Sequence, residues 1–134
     1  MIQKKKFYAA FWYTALSLFT LVFGMVYTYF GHGAHSDYMT YAFLPLQITA
    51  FAYFVLAFCE KIPRPGSFSS LFLAFSIASF TLDRITQGIL EIAGAYSNYD
   101  VLIRYAAHTT LTLAAVIYIA EIILLFKQKA TANT

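Results

Sequence analysis

Four long apolar stretches are the feature of this chain that most restricts how it can fold. They run approximately over Phe7–Phe30, Met39–Cys59, Phe68–Ile92 and Val101–Phe126. Each is long enough for the roughly 20 helical residues that cross a hydrocarbon core of about 30 Å. Because backbone groups in lipid must bond within their own segment, and because these stretches lack the alternation of barrel strands, each one predicts a transmembrane helix. Only 11% of the residues are charged, against about 25% in a soluble domain, so a water-soluble fold is excluded.

The connections between the stretches are brief, so neighbouring helices must run antiparallel. They cover residues 31–37, 60–66 and 96–100. The chain is therefore predicted to be an all-α polytopic membrane protein, a four-transmembrane-helix antiparallel bundle that forms one transmembrane domain over residues 1–134. Pro45 falls about one turn into the second stretch, where it predicts either the first turn of a later helix start or a kink.

The distribution of lysine and arginine predicts the orientation in the membrane. The N-terminus, the second connection and the C-terminus together hold Lys4, Lys5, Lys6, Lys61, Arg64, Lys127 and Lys129. With four spans these three places share one side, which the positive-inside rule assigns to the cytoplasm. We therefore expect a multi-pass protein of the plasma or inner membrane with both termini cytoplasmic. The net charge of +3 is too small and too dispersed for a phosphate-binding stripe, so the expected partner is the lipid bilayer and no nucleic acid.

Small and hydroxyl residues mark the predicted packing faces, since helices in lipid associate through close contact rather than through a hydrophobic drive. The third stretch carries a polar stripe at helical spacing: Ser69, Ser76, Ser79, Asp83, Gln87 and Glu91. The fourth stretch offers Arg104, His108, Thr112 and Ala115. These faces are expected to point into the bundle.

A polar layer is the one site-like feature of the sequence. Counting about 1.5 Å of rise per residue brings five polar residues to one depth in the outer half of the bundle: Gln47, Asp83, Arg84, Gln87 and His108. Asp83 is expected to accept a hydrogen bond from His108 or Gln47, and Arg84 to reach Glu91 or the outer headgroups. Charged residues within a membrane are costly and usually mark functional sites. The layer is therefore interpreted either as a ligand-binding site or as a clamp that sets helix register.

The first connection holds a motif with metal-ligand chemistry. His32, His35 and Asp37 supply imidazole and carboxylate groups, which suit zinc and other divalent ions. Haem would need an axial histidine in the bundle, and His108 is the one histidine well inside a predicted span, so no cofactor is assigned. Tyr105 and Tyr118 are interpreted either as lipid-facing bulk or as the lining of a lipid or quinone pocket.

Three function classes remain open on the sequence. The common nucleophilic, redox, nucleotide and metalloprotease motifs are absent from it. The favoured interpretation is a binding or accessory subunit of a larger membrane assembly, packed against a membrane protein partner or a second copy. One alternative is a small oligomeric transporter or channel, which the lack of charge in the cytoplasmic half of the predicted bundle disfavours. The other is a membrane-embedded enzyme acting on a lipophilic substrate with Asp83 and His108 as acid and base, so enzyme activity stays undecided.

Overall fold

The computed structural model describes residues 2–31, 35–59, 62–95 and 98–131. Its helices are α1 (Ile2–Phe30), α2 (Asp37–Thr40), α3 (Leu44–Phe58), α4 (Ser67–Ile92) and α5 (Tyr99–Thr131). Four segments are long and apolar enough to cross a membrane, namely Phe7–Phe30, Asp37–Phe58, Ser67–Ile92 and Val101–Gln128. The predicted all-α bundle with four transmembrane helices is therefore confirmed.

The second predicted stretch is not one continuous helix. Ser36 is the N-cap residue of the short helix α2. Its backbone is extended, and its hydroxyl accepts a hydrogen bond from the Met39 N–H at 3.3 Å. A turn over residues 41–43 then separates α2 from α3, and Pro45 lies in the first turn of α3. Proline is tolerated there because the first N–H groups of a helix have no intrahelical acceptor. Of the two alternatives for Pro45, the later helix start is the one that forms.

The long helices associate as two pairs. Helix α1 packs along α3, and α4 packs along α5. The pairs are joined by α2, which contacts both α1 and α4, and by a smaller contact between α3 and α4. We call the end of the bundle that holds α2 the α2 end. The opposite end, with residues 62–66, the start of α1 and the end of α5, is the terminal end.

Two serines of the predicted polar stripe set the register between α4 and α5. The Ser76 hydroxyl donates to the Ala107 carbonyl at 2.9 Å, and the Ser69 hydroxyl donates to the Ala114 carbonyl at 3.4 Å. Both alanines are buried, so the helix backbones come close together as the small residues predicted. This register decides which polar side chains of the two helices can meet.

Met39 of α2 is wedged between two glycines on neighbouring helices. Its side chain is 1% exposed. A Cβ atom added to Gly24 of α1 would lie 2.9 Å from the Met39 carbonyl oxygen. A Cβ atom added to Gly88 of α4 would lie 2.8 Å from the Met39 Cβ and 2.9 Å from its backbone nitrogen. The glycines therefore allow α2 to sit across the bundle and hold α1 to α4 at this end.

Candidate functional site

A groove of about 830 Å³ separates α3 from the α4–α5 pair. This volume lies within the range of roughly 300–1,000 Å³ that is typical of small-molecule sites. One wall is formed by α3 and the turn before it, which contribute Tyr41, Leu44, Pro45, Ile48, Thr49, Ala52, Tyr53 and Leu56. The other wall contributes Pro65, Ser69, Leu73, Ile77, Phe80, Arg84, Leu111, Ala114, Ala115 and Tyr118. The groove is open along its side, where Ile48 is 65% exposed.

At the α2 end, the groove is bordered by Tyr41 of the turn that follows α2. Two polar contacts hold α2 against α4 at this end. The Ser36 hydroxyl donates to the Glu91 carboxylate at 2.5 Å, which ties the start of α2 to the last turn of α4. The Arg84 guanidinium lies 5.5 Å from the centre of the Tyr38 ring, a cation–π contact between α4 and α2.

At the terminal end, Pro65 of the segment 62–66 lines the groove. Here the Tyr118 hydroxyl donates to the Pro63 carbonyl at 2.8 Å. The Gly66 N–H donates to the Glu121 carboxylate, also at 2.8 Å. Gly66 is the N-cap residue of α4 and has no side chain that could cap the helix. The Glu121 carboxylate therefore supplies the hydrogen-bond acceptor and the negative charge that a helix N-terminus favours. Protein thus borders the groove at both ends, through Tyr41 at the α2 end and Pro65 at the terminal end.

The lining of the groove is mostly apolar, and several of its polar side chains are already hydrogen-bonded. The Thr49 hydroxyl donates to the Pro45 carbonyl at 2.8 Å, while Ser69 and Tyr118 are bonded as described above. Among the residues that the structure describes, Arg84 is the one charged residue that lines the groove. Over the four described ranges, no carboxylate forms an ion pair with Arg84. The groove therefore presents an apolar surface with a single positive charge at its α2 end.

Two residues of the predicted polar layer do meet. The Gln87 amide donates to Asp83 Oδ1 at 2.8 Å. The second carboxylate oxygen of Asp83 lies 3.4 Å from Arg104 Nε on α5. The Asp83 side chain is 5% exposed, whereas the Arg104 side chain is 46% exposed. This interhelical ion pair is the geometry that the clamp interpretation of Asp83 requires.

The expected contacts of Asp83 with His108 and Gln47 are not formed. In the register set by the α4–α5 hydrogen bonds, His108 lies opposite position 75, eight residues from Asp83 and therefore about 12 Å deeper. Its ring instead packs edge-on against Phe80, with the ring centres 4.9 Å apart. Gln47 lies in the first turn of α3, which starts at Leu44, and its side chain is exposed.

One of the two expected environments of Arg84, the contact with Glu91, needs correction, whereas the outer headgroups stay a prediction. Glu91 does not pair with Arg84, because its carboxylate accepts the Ser36 hydroxyl. Arg84 turns towards α2 and the groove, where its guanidinium lies against Tyr38. Whether the predicted layer binds a ligand stays a prediction, but the structure divides it into an Asp83–Gln87–Arg104 cluster and a separate Arg84 that faces the groove.

The metal hypothesis stays a prediction. His32 lies outside the described residues. His35 Nε2 and Asp37 Oδ1 are 3.6 Å apart, and both side chains are largely exposed. Within the described ranges, no three His, Cys, Asp or Glu side chains come together as a metal-binding group.

Sequence reasoning missed two features of this site. The first is Arg104, which was assigned to a packing face but not to the polar layer. Its position one helical turn from His108 was the signal that could have placed it in the layer. The groove itself had no signal in the sequence, because it arises from how the two helix pairs diverge. Tyr118 lines the groove, as one of its two interpretations expected, whereas Tyr105 is exposed and not part of the lining.

No protein-family model, curated protein or solved structure matches this chain. Its function is therefore argued from the geometry of the groove.

Proposed function

We propose that this chain is a membrane-embedded binding subunit that takes a lipophilic molecule into the groove between α3 and the α4–α5 pair. The observation that carries the proposal is an apolar groove that is bordered by protein at both ends and open along its side. A molecule in the bilayer can enter such a groove laterally.

The same geometry disfavours the two alternative functions. A transporter or channel needs a continuous polar path, whereas the groove lining is mostly apolar. An acid–base enzyme of the expected kind needs Asp83 and His108 close together. They have different partners, Arg104 and Phe80, at different depths.

The exposure of α5 supports the second half of the proposal, that the chain is a subunit of a larger assembly. Only 6% of the most apolar window of α5 is buried, against 22–33% in the other three spans. His108 lies on the exposed surface of this helix. A polar side chain that faces hydrocarbon is costly, so a membrane protein partner or a second copy packed on α5 would relieve that cost.

Filling the groove should displace its occupant. We expect Ala115→Trp to reduce the lipid retained by the protein several-fold, because Ala115 lines the groove and an indole occupies space that the occupant needs. The measurement is native mass spectrometry of protein gently extracted from membranes, which also reports any companion chain or second copy.

Ala120→Trp is the matched control, since Ala120 is exposed on the same helix and does not line the groove. Equal lipid retention in both variants and the wild type would contradict the binding proposal. A monodisperse single chain without a companion would contradict the subunit proposal.

We also propose that the protein resides in the plasma or inner membrane with both termini in the cytoplasm, which places the α2 end outside. The distribution of lysine and arginine supports this orientation. In a Cys59→Ser background, we expect Asn98→Cys to react with a membrane-impermeant maleimide in intact cells and Gln128→Cys to react only after permeabilisation. Both positions are exposed and they lie beside opposite ends of α5. The reverse labelling pattern would overturn the orientation.

A further inference from the structure

We infer that the occupant of the groove is an anionic phospholipid, with an acyl chain in the groove and its phosphate paired with Arg84. This inference rests on the proposed binding function and adds the chemical class of the ligand. It starts from the single positive charge that lines the groove.

The acidic groups near Arg84 are already engaged. Asp83, its neighbour in sequence, is bonded to Gln87 and Arg104. Glu91 accepts the Ser36 hydroxyl. Among the described residues, the structure gives Arg84 the Tyr38 ring as its contact and no carboxylate. The N–H donors of its guanidinium are therefore not taken up by a carboxylate of the described residues.

The position of the guanidinium matches the level of a lipid headgroup. Arg84 is 17 residues from the start of α4, or about 25 Å along the helix, in a hydrocarbon core of about 30 Å. Its side chain reaches towards Tyr38 on α2, and tyrosines favour the membrane interface. The apolar groove runs from this point towards Tyr118 at the terminal end. A phosphate at Arg84 thus leaves an acyl chain of the same molecule directed along the groove.

Selectivity among lipids must come from the headgroup. A lipid tail that leaves the bilayer for an apolar groove exchanges one hydrocarbon environment for another, so there is little hydrophobic drive for any particular tail. Arginine binds phosphate through two parallel charge-assisted hydrogen bonds, which also fix the orientation of the group. A zwitterionic phospholipid offers the same phosphate but brings a headgroup cation close to the guanidinium, whereas an anionic phospholipid does not. Like-charge repulsion therefore makes Arg84 favour the anionic lipid.

The test compares phosphatidylglycerol with phosphatidylcholine of identical acyl chains, in nanodiscs of the two lipids mixed equally. After extraction, native mass spectrometry counts which lipid stays bound. For the wild type we expect phosphatidylglycerol to be preferred about tenfold, which corresponds to about 1.4 kcal/mol. Arg84→Gln should abolish the preference while lipid is still retained, and Arg84→Lys should keep part of it. Arg84 is exposed, so neither change is expected to prevent folding.

Lys127→Gln is the charge-matched control, because Lys127 is exposed on α5 and does not line the groove. It should keep the wild-type preference. Equal retention of the two lipids by the wild type, with retention still lost in Ala115→Trp, would overturn the headgroup inference and leave the binding function standing. Retention insensitive to Ala115→Trp would instead remove the binding function itself. Glycerol phosphate without acyl chains should not displace the lipid, and displacement by it would also overturn the inference.

Discussion

Gly88→Leu should lower the free energy of unfolding by about 3 kcal/mol, at the upper end of the usual cost of overpacking. The added Cβ alone would lie 2.8 Å from the Met39 Cβ and 2.9 Å from the Met39 backbone nitrogen. Real Cβ atoms do not approach other atoms so closely, so α2 must move away from α4. The measurement is unfolding of the detergent-solubilised protein in increasing dodecyl sulfate, followed by circular dichroism.

Two companion variants make this result specific. Ala78→Leu adds the same side chain at an exposed position of α4 and should change stability by less than about 0.5 kcal/mol. Adding Met39→Ala to Gly88→Leu should not restore stability, because the clash includes the backbone nitrogen of Met39 as well as its side chain. Full rescue by Met39→Ala would show that the backbones of α2 and α4 are not in close contact.

Asp83→Ala should lower the free energy of unfolding by about 1–3 kcal/mol, the range for losing a hydrogen-bonded charge within the bundle. The change removes the acceptor for Gln87 and the partner of Arg104. The cost stays below that of breaking a fully buried ion pair, because the Arg104 side chain is 46% exposed and retains access to polar surroundings. The same unfolding measurement applies.

A double-mutant cycle isolates the ion pair. If Asp83 and Arg104 interact, Asp83→Ala and Arg104→Ala together should cost less than the sum of the two single changes, by at least about 0.5 kcal/mol. Asp37→Asn serves as the carboxylate control, since the Asp37 side chain is 83% exposed and should contribute little. Strict additivity of Asp83→Ala and Arg104→Ala would mean that the Asp83–Arg104 contact does not clamp α4 to α5.

The depth of a polar residue was harder to predict than its membership of a span. Counting the helical rise from the helix starts placed His108 level with Asp83. The serine hydrogen bonds between α4 and α5 instead separate the two residues by about 12 Å along the helix axes. Antiparallel helices can slide past each other without changing their sequence patterns. A shift of one turn, about 5.4 Å, is enough to exchange one polar partner for another. This is why Arg104, and not His108, reaches Asp83.

Hydropathy, charge and residue size in the sequence determined the four spans, their antiparallel order and the serine-lined face of α4. Those properties act locally, because a helix in lipid must satisfy its own backbone and bury its small polar face. The partners of Asp83, the wedge of Met39 between Gly24 and Gly88, and the groove in front of Arg84 were decided only by the tertiary structure. Each depends on how far two helices slide and diverge, and that is set by contacts between residues distant in the sequence.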